Sequence, residues 1–164
     1  MRQNPSSIVL ASFLSVSMAG SLWADIRAIV INENSLPYDL SPSNYDNSPS
    51  NYDNSSTNYD NSVSNYDNSP SNYDNSPSNY DNGIHGDRRV ISEDNTFLGY
   101  YVFGSDGIIN FYSASGERVG YIPGGGHTQS IFSENGWCGT MGQQQGRTVL
   151  GLTQSCFYKF LLNN

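Results

Sequence analysis

Hydrophobic and polar positions divide the chain into three stretches. Apolar residues dominate from Ile8 to Ala24, almost disappear between residues 41 and 82, and return in short runs from residue 83 onward. A β-branched run at residues 25–32 separates the first two stretches and predicts one short strand, able to pair with the C-terminal domain. The sequence therefore predicts a folded sheet mainly in its C-terminal half.

The C-terminal stretch favours an all-β fold, a small antiparallel domain. Its apolar runs are short, turn residues interrupt them every eight to twelve positions, and no segment shows a helical period. The predicted strands span residues 89–92, 97–103, 108–113, 118–122, 129–132, 137–141, 148–153 and 156–161.

A hairpin unit of about twenty residues repeats within this domain. Segments 91–100, 112–121 and 132–140 each contain an apolar strand end, a Ser, a turn ending in Gly or Asn, and a return strand with a Gly. The aligned glycines are Gly99, Gly120 and Gly139. A Gly inside a strand indicates close approach of another strand or an aromatic ring.

Units of the form Ile-Phe-Ser-x-x-Gly-x-x-Val-Gly-Tyr resemble those of the four-fold beta flower family, whose successive hairpins are arranged around a central axis. The resemblance covers residues 88–153, with three clear units and a fourth, at residues 149–160, that lacks the Gly of the return strand. Asn-Ser-Pro heptads similar to those of residues 41–82 precede such domains in exported bacterial proteins of unassigned role. The resemblance implies a fold and an export route, but no activity and no functional residues.

Residues 41–82 are six consecutive seven-residue units, each with a Tyr at its fifth position, of which only the second and third positions vary. Four of the units contain Pro, which excludes a coiled coil. Ser-Pro-Ser-Asn is typical of a β-turn with Pro second. Three interpretations remain open: a disordered spacer, a stacked coil whose units share a core, and a calcium-binding array, although one carboxylate per unit supplies few ligands.

The chain thus divides into four parts: residues 1–24, a signal peptide; 25–40, a short strand and linker; 41–82, the heptad tract; and 83–164, the hairpin domain. Cleavage is expected after Ala24 or Ala19, and an uncleaved anchor helix is the alternative. We expect a periplasmic or extracellular location, with no membrane contact beyond the signal peptide. The sequence does not indicate an oligomeric state.

Export changes the interpretation of the two cysteines, because paired thiols persist in an oxidising compartment. A disulfide between Cys138 and Cys156 is the prediction, and a Cys138 nucleophile working with His127 is the alternative.

The negative charge of the chain is concentrated in the heptad tract. The formal net charge is −8, and the tract contributes six Asp with no Lys, Arg or Glu. Neither half has a basic stripe, so nucleic acid is not expected as a partner. An anionic lipid surface would repel the tract.

The titratable residues form no spaced motif, so we predict no catalytic residue, metal or cofactor. The loop of residues 124–127 has the glycines of a phosphate loop but lacks its Lys and its helix. Aromatic residues give a clearer indication of a binding surface, since the alternation of side chains along a strand would leave several of them exposed. The candidate binding aromatics are Tyr100, Tyr101, Tyr112, Tyr121 and Trp137, and the alternative is that they fill a core.

These observations predict an exported, non-enzymatic module that binds a protein or a glycan at the cell envelope, with the tract as its spacer. One alternative is a small hydrolase, in which His127 and an acid would meet in a concave pocket. Another is a structural protein that self-associates through the tract.

Overall fold

In the computed structural model, which describes residues 25–162, eight strands form a closed barrel in sequence order. The all-β prediction is therefore confirmed. The strands are β1 (Ile26–Val30), β2 (Arg89–Ile91), β3 (Phe97–Phe103), β4 (Ile109–Ser113), β5 (Arg118–Ile122), β6 (Ser130–Ser133), β7 (Gly136–Gln144) and β8 (Arg147–Leu152). A helix, α1 (Gln154–Leu162), follows the last strand.

The strand predicted at residues 25–32 is β1, and it belongs to the barrel. It pairs in parallel with both β2 and β8, whereas all other neighbouring strands are antiparallel. Parallel neighbours require a crossover connection. The heptad tract is that connection, since it leaves from the end of β1 and returns at the start of β2. The interpretation of the tract as a spacer does not fit this topology, because both of its ends join one barrel.

Helix α1 replaces the strand predicted at residues 156–161, so that prediction is wrong. The helix begins with a bond from Phe157 N to Thr153 O, and it buries Cys156 and Phe160, which lie four positions apart on one helical face. Both side chains join the apolar core of the barrel, with residues such as Leu98, Phe111 and Ile131. A short apolar run does not distinguish a strand from a helix by its period.

The aligned hairpins share two structural details. A register shift falls at Val90/Ile91, at Phe111/Tyr112 and at Ile131/Phe132, the same place in each unit. The glycines of the return strands face main-chain oxygens of neighbouring strands, as expected. A Cβ would lie 2.0 Å from the oxygen of Tyr112 at Gly99, 2.7 Å from that of Phe132 at Gly120, and 2.0 Å from that of Gly151 at Gly139.

The heptad tract forms a regular stacked coil, called here the heptad coil (residues 41–82). In each unit the first four residues form a turn that closes with a bond such as Asn51 N to Ser48 O, and Tyr-Asp-Asn forms one 3-10 turn. The fourth-position Asn caps that turn, as when the side-chain oxygen of Asn65 accepts from Asp67 N at 3.1 Å. Of the interpretations left open, the structure shows the stacked one.

The last Asn of each unit joins consecutive turns of the heptad coil. Asn68 Nδ2 donates to the main-chain oxygens of Asp60, at 2.7 Å, and Ser62, at 3.1 Å, and the same pair of bonds recurs in all six units. These asparagines are buried, at 0 to 5% exposure. A unit too small to fold alone thus shares an inner column of amide bonds with its neighbours.

The predicted signal peptide and its cleavage sites lie outside the described residues. Within residues 25–162, no helix has both the length and the apolar character needed to cross a membrane.

Candidate functional site

The inner face of the heptad coil lies against the outside of the barrel. The last Asn of every unit, through its side-chain or main-chain oxygen, accepts a hydrogen bond from a barrel residue. The bonds run from Thr128 Oγ1 to Asn47 Oδ1 (2.6 Å), from the Tyr121 hydroxyl to Asn54 O (2.8 Å), from Arg118 Nη1 to Asn61 O (2.6 Å), from the Tyr112 hydroxyl to Asn68 O (2.8 Å), from the Tyr100 hydroxyl to Asn75 O (2.6 Å) and from Arg88 Nη1 to Asn82 Oδ1 (3.4 Å).

The turns of the heptad coil have nearly the same spacing as the strands beneath them. Tyr100 on β3 and Tyr112 on β4 are directly paired across the sheet, their rings stack with centroids 5.3 Å apart, and their hydroxyls bond to consecutive units. Paired residues of antiparallel strands have Cα atoms about 5 Å apart. The heptad coil therefore advances by about 5 Å per turn.

Arg118 is half-buried between the barrel and the heptad coil. Its Nε and Nη2 donate to Asn110 Oδ1 at 2.9 and 2.5 Å, its Nη1 donates to Asn61 O, and its guanidinium lies 4.4 Å from the centre of the Tyr121 ring. Burial lowers the pKa of Arg118. Among residues 25–162 no carboxylate lies within ion-pair distance of it, so oxygen acceptors and the ring, together with the more distant charge of Glu134, compensate its charge.

Four of the five candidate binding aromatics are buried, which does not fit a role in contacting an external ligand. The exposed fractions of Tyr100, Tyr101, Tyr112 and Tyr121 are 0, 2, 0 and 1%. Tyr101 fills the barrel core, while the other three lie beneath the heptad coil. Trp137 is half-buried, and its Nε1 donates to Ser130 Oγ at 3.0 Å. Burial raises the pKa of all four tyrosines, that of Tyr101 to about 12.

The most exposed aromatic residues of the described chain are instead on the outer face of the heptad coil and the turn before it. We call them the tyrosine column: Tyr38, Tyr45, Tyr52, Tyr59, Tyr66, Tyr73 and Tyr80, each 61 to 73% exposed. Each is followed by an exposed Asp, and the third position of each unit adds an exposed Ser or Thr. Sequence reasoning treated these tyrosines as part of a spacer. The available signal was that Tyr never varies among the units, while the second and third positions of the units do.

A cavity of about 350 Å³ separates the heptad coil from two barrel loops. His127, Asp53, Asp60 and Asp106 line it, so the structure brings His127 and acids together, as the hydrolase hypothesis requires. His127 Nε2 lies 2.7 Å from Asn54 Oδ1. Asn54 Nδ2 already donates to two carbonyl oxygens, so Asn54 Oδ1 is the acceptor and His127 Nε2 carries the proton. Nδ1 is then the acceptor of the ring.

The two cysteines are joined as predicted. Cys138 on β7 and Cys156 on α1 form a disulfide, with Cα atoms 5.6 Å apart, which ties the helix to the barrel. The alternative of a free Cys138 nucleophile is therefore wrong. Within the described part of the chain, no group of three or more His, Cys, Asp or Glu is arranged to hold a metal ion.

No family model, no curated protein and no solved structure matches the chain. Function is therefore inferred from the residues and their geometry. The resemblance of the hairpin units to the four-fold beta flower family stays a prediction.

Proposed function

We propose that the protein is an exported, non-enzymatic binding module and that the tyrosine column is its binding surface. The observation that carries the proposal is the exposure of seven tyrosines, at 61 to 73%, at the same position of successive turns. Tyr supplies a large, rigid contact area and loses little conformational entropy on binding. Contiguous exposed aromatic side chains are typical of interaction sites.

The heptad coil holds this surface in place before any ligand arrives. Its turns are closed by their own hydrogen bonds, and every unit is also bonded to the barrel. A surface that is already ordered has less entropy to lose on association. This rigidity separates the tyrosine column from a disordered tract with the same composition.

Two features support export. The apolar run from Ile8 to Ala24 has the composition of a signal peptide core, and the disulfide between Cys138 and Cys156 suits an oxidising compartment. The test is fractionation of cells that make the full chain, followed by N-terminal sequencing of the product. An exported protein beginning at Asp25 or Gly20 is expected. A cytoplasmic protein that retains Met1 would contradict export.

The binding surface is tested by co-sedimentation of the mature protein with the insoluble envelope fraction of its own cells. The variant Tyr52→Ser/Tyr59→Ser/Tyr66→Ser removes three central members of the column, and we expect most of the protein to stay in the supernatant. Tyr158→Ser is the matched control, because Tyr158 is 47% exposed but lies on α1. Unchanged sedimentation of a triple variant with a wild-type circular dichroism spectrum would rule out the tyrosine column.

A hydrolase site in the cavity is the second candidate, because His127 and three carboxylates line one concave space. It predicts turnover in a panel of chromogenic esters, phosphate esters and glycosides, lost in His127→Gln without unfolding. The binding proposal predicts no turnover and unchanged co-sedimentation of that variant. The same two measurements therefore separate the two candidates.

A further inference from the structure

We infer that the ligand of the tyrosine column is a linear glycan of neutral or amine-bearing sugars, bound lengthwise with one sugar per turn of the heptad coil. This inference rests on the proposed function, which it makes specific. Four properties of the surface lead to it: its period, its chemistry, its charge and the pairing of most of its main-chain N–H groups within the coil.

The period fits a chain of sugars. The tyrosines repeat once per turn, and the turns are about 5 Å apart because they match paired strands. That distance is close to the length of one pyranose in an extended chain. A surface with seven equivalent positions suits a ligand with equivalent units, since each added unit then makes the same contact.

The chemistry of each turn suits a sugar ring. A pyranose has apolar C–H faces and a rim of hydroxyls. Each turn offers a phenol ring beside an exposed carboxylate and an exposed hydroxyl, as at Tyr66, Asp67 and Ser64. The ring can pack on a C–H face, while the carboxylate accepts and the hydroxyl donates or accepts hydrogen bonds.

The charge of the heptad coil determines which glycans are suitable. Six exposed Asp side chains and no Lys, Arg or Glu lie between residues 41 and 82. A uronic-acid or sulfated polymer would be repelled. Neutral sugars carry no such penalty, and sugars with a free amine are attracted.

The main chain of the heptad coil argues against an extended peptide as the ligand. Strand addition needs a row of unpaired N–H and C=O groups. In the unit Ser62–Asn68, the N–H groups of Ser62, Ser64, Asn65, Asp67 and Asn68 all bond within the coil. A peptide would thus find no sheet edge to extend.

A second copy of the chain is also a poor occupant. Two tyrosine columns facing each other would bring together two rows of exposed carboxylates, one per turn on each side. Like charges held opposite one another at short range are destabilising.

The test measures binding of the mature protein to β-1,4-linked N-acetylglucosamine oligomers of two, four and six sugars by calorimetry. The affinity is expected to rise by roughly tenfold for each two sugars added, because each sugar meets one more ring. The de-acetylated hexamer is expected to bind at least as tightly as the acetylated one. A polygalacturonate oligomer of equal length is the anionic control and should not bind.

Two triple variants with the same composition test the lengthwise orientation. Tyr52→Ser/Tyr59→Ser/Tyr66→Ser leaves two separate pairs of tyrosines, whereas Tyr38→Ser/Tyr45→Ser/Tyr80→Ser leaves four consecutive ones. The first variant should lose the gain between two and four sugars. The second should keep that gain and lose only the gain between four and six.

Four outcomes would overturn the inference. The first is that the two triple variants depend on oligomer length in the same way, and the second is that polygalacturonate binds as tightly as the N-acetylglucosamine hexamer. The third is self-association of the wild type that the central triple variant abolishes. The fourth is that no oligomer binds while protease treatment of the envelope abolishes co-sedimentation. The last would identify a protein partner and leave the proposed function intact. Failure of co-sedimentation itself would instead remove the proposed function.

Discussion

The hydroxyl of Tyr112 on β4 donates to the main-chain oxygen of Asn68, 44 residues earlier in the chain, at 2.8 Å. Both groups are buried, and this bond is the one the structure shows for that oxygen. Equivalent bonds join Tyr100 to Asn75 and Tyr121 to Asn54. Three carbonyls of the coil that face the barrel therefore depend on tyrosine hydroxyls, and a fourth, that of Asn61, depends on Arg118.

Removal of one such hydroxyl should lower stability without disturbing the outer surface. We expect Tyr112→Phe to decrease the free energy of unfolding by about 1–3 kcal/mol, because the oxygen of Asn68 stays buried without a donor. Tyr66→Phe is the control, since Tyr66 is 61% exposed, and it should change the free energy of unfolding by less than about 0.5 kcal/mol. Urea denaturation of both variants checks the difference. Equal losses would mean that the coil does not pack on the barrel.

The two asparagines of one unit should lose very different amounts of stability on the same substitution. Asn68 donates to two carbonyls, so Asn68→Asp would place a carboxylate against oxygen atoms, with an expected loss of about 3 kcal/mol or more. Asn65 only accepts, from Asp67 N, so Asn65→Asp should cost less than about 1 kcal/mol. Thermal unfolding of the pair at neutral pH measures this. Similar melting temperatures would contradict the hydrogen-bond assignment.

The heptad coil should be required for the stability of the barrel. Replacement of residues 41–82 by a Gly-Ser linker of equal length would expose Tyr100, Tyr112 and Tyr121, which are buried beneath the coil, and would uncover the half-buried Arg118. We expect loss of cooperative unfolding or aggregation, seen by circular dichroism and light scattering. Native-like melting of the linker variant would restore the interpretation of the tract as a spacer.

The disulfide should stabilise the protein by constraining α1. It closes a loop with a sequence separation of 18, for which chain entropy gives about 3 kcal/mol. Cys138→Ser/Cys156→Ser should therefore unfold at a lower urea concentration than the oxidised wild type. A reducing agent should shift the wild type by a similar amount and leave the double variant unchanged. A change in the unfolding midpoint of the double variant in reducing agent would mean that the effect of the reducing agent does not come from this disulfide.

Alkaline pH should unfold the protein cooperatively. Burial raises the pKa of Tyr100, Tyr101, Tyr112 and Tyr121, that of Tyr101 to about 12. Above pH 10 the unfolded chain therefore binds fewer protons than the folded one at these sites, so stability falls as pH rises. Each tyrosine contributes a loss of about 1 kcal/mol per pH unit between pH 10 and 12. Melting temperatures measured across that range test the prediction, and Tyr112→Phe should give a shallower decline.

The sequence predicted the strands of the barrel well where turn residues bound short alternating runs. The predicted ranges of β3 and β5 are the observed ones, and the glycines of the return strands lie where the aligned hairpins placed them. The disulfide followed from the pairing of two cysteines in an exported chain. Each of these inferences depends on local patterns or on composition alone.

The failures concern contacts between parts of the chain that are far apart in sequence. The burial of Tyr100, Tyr112 and Tyr121 depends on the coil that covers the outside of β3, β4 and β5, and alternation within a strand contains no sign of that cover. The order of the heptad tract likewise depends on amide bonds between units and on the barrel. Neither set of bonds is encoded within a single unit.

The series of bonds between the terminal asparagines of the heptad coil and the barrel has a consequence for how the gene can change. Tandem repeats gain and lose whole copies, and a unit closed by its own bonds would survive either event. Each of the six terminal asparagines, however, meets a different barrel residue, from Thr128 at Asn47 to Arg88 at Asn82. One copy more or fewer would move part of this series to the wrong partners. The spacing of these barrel residues thus favours the present number of repeat units.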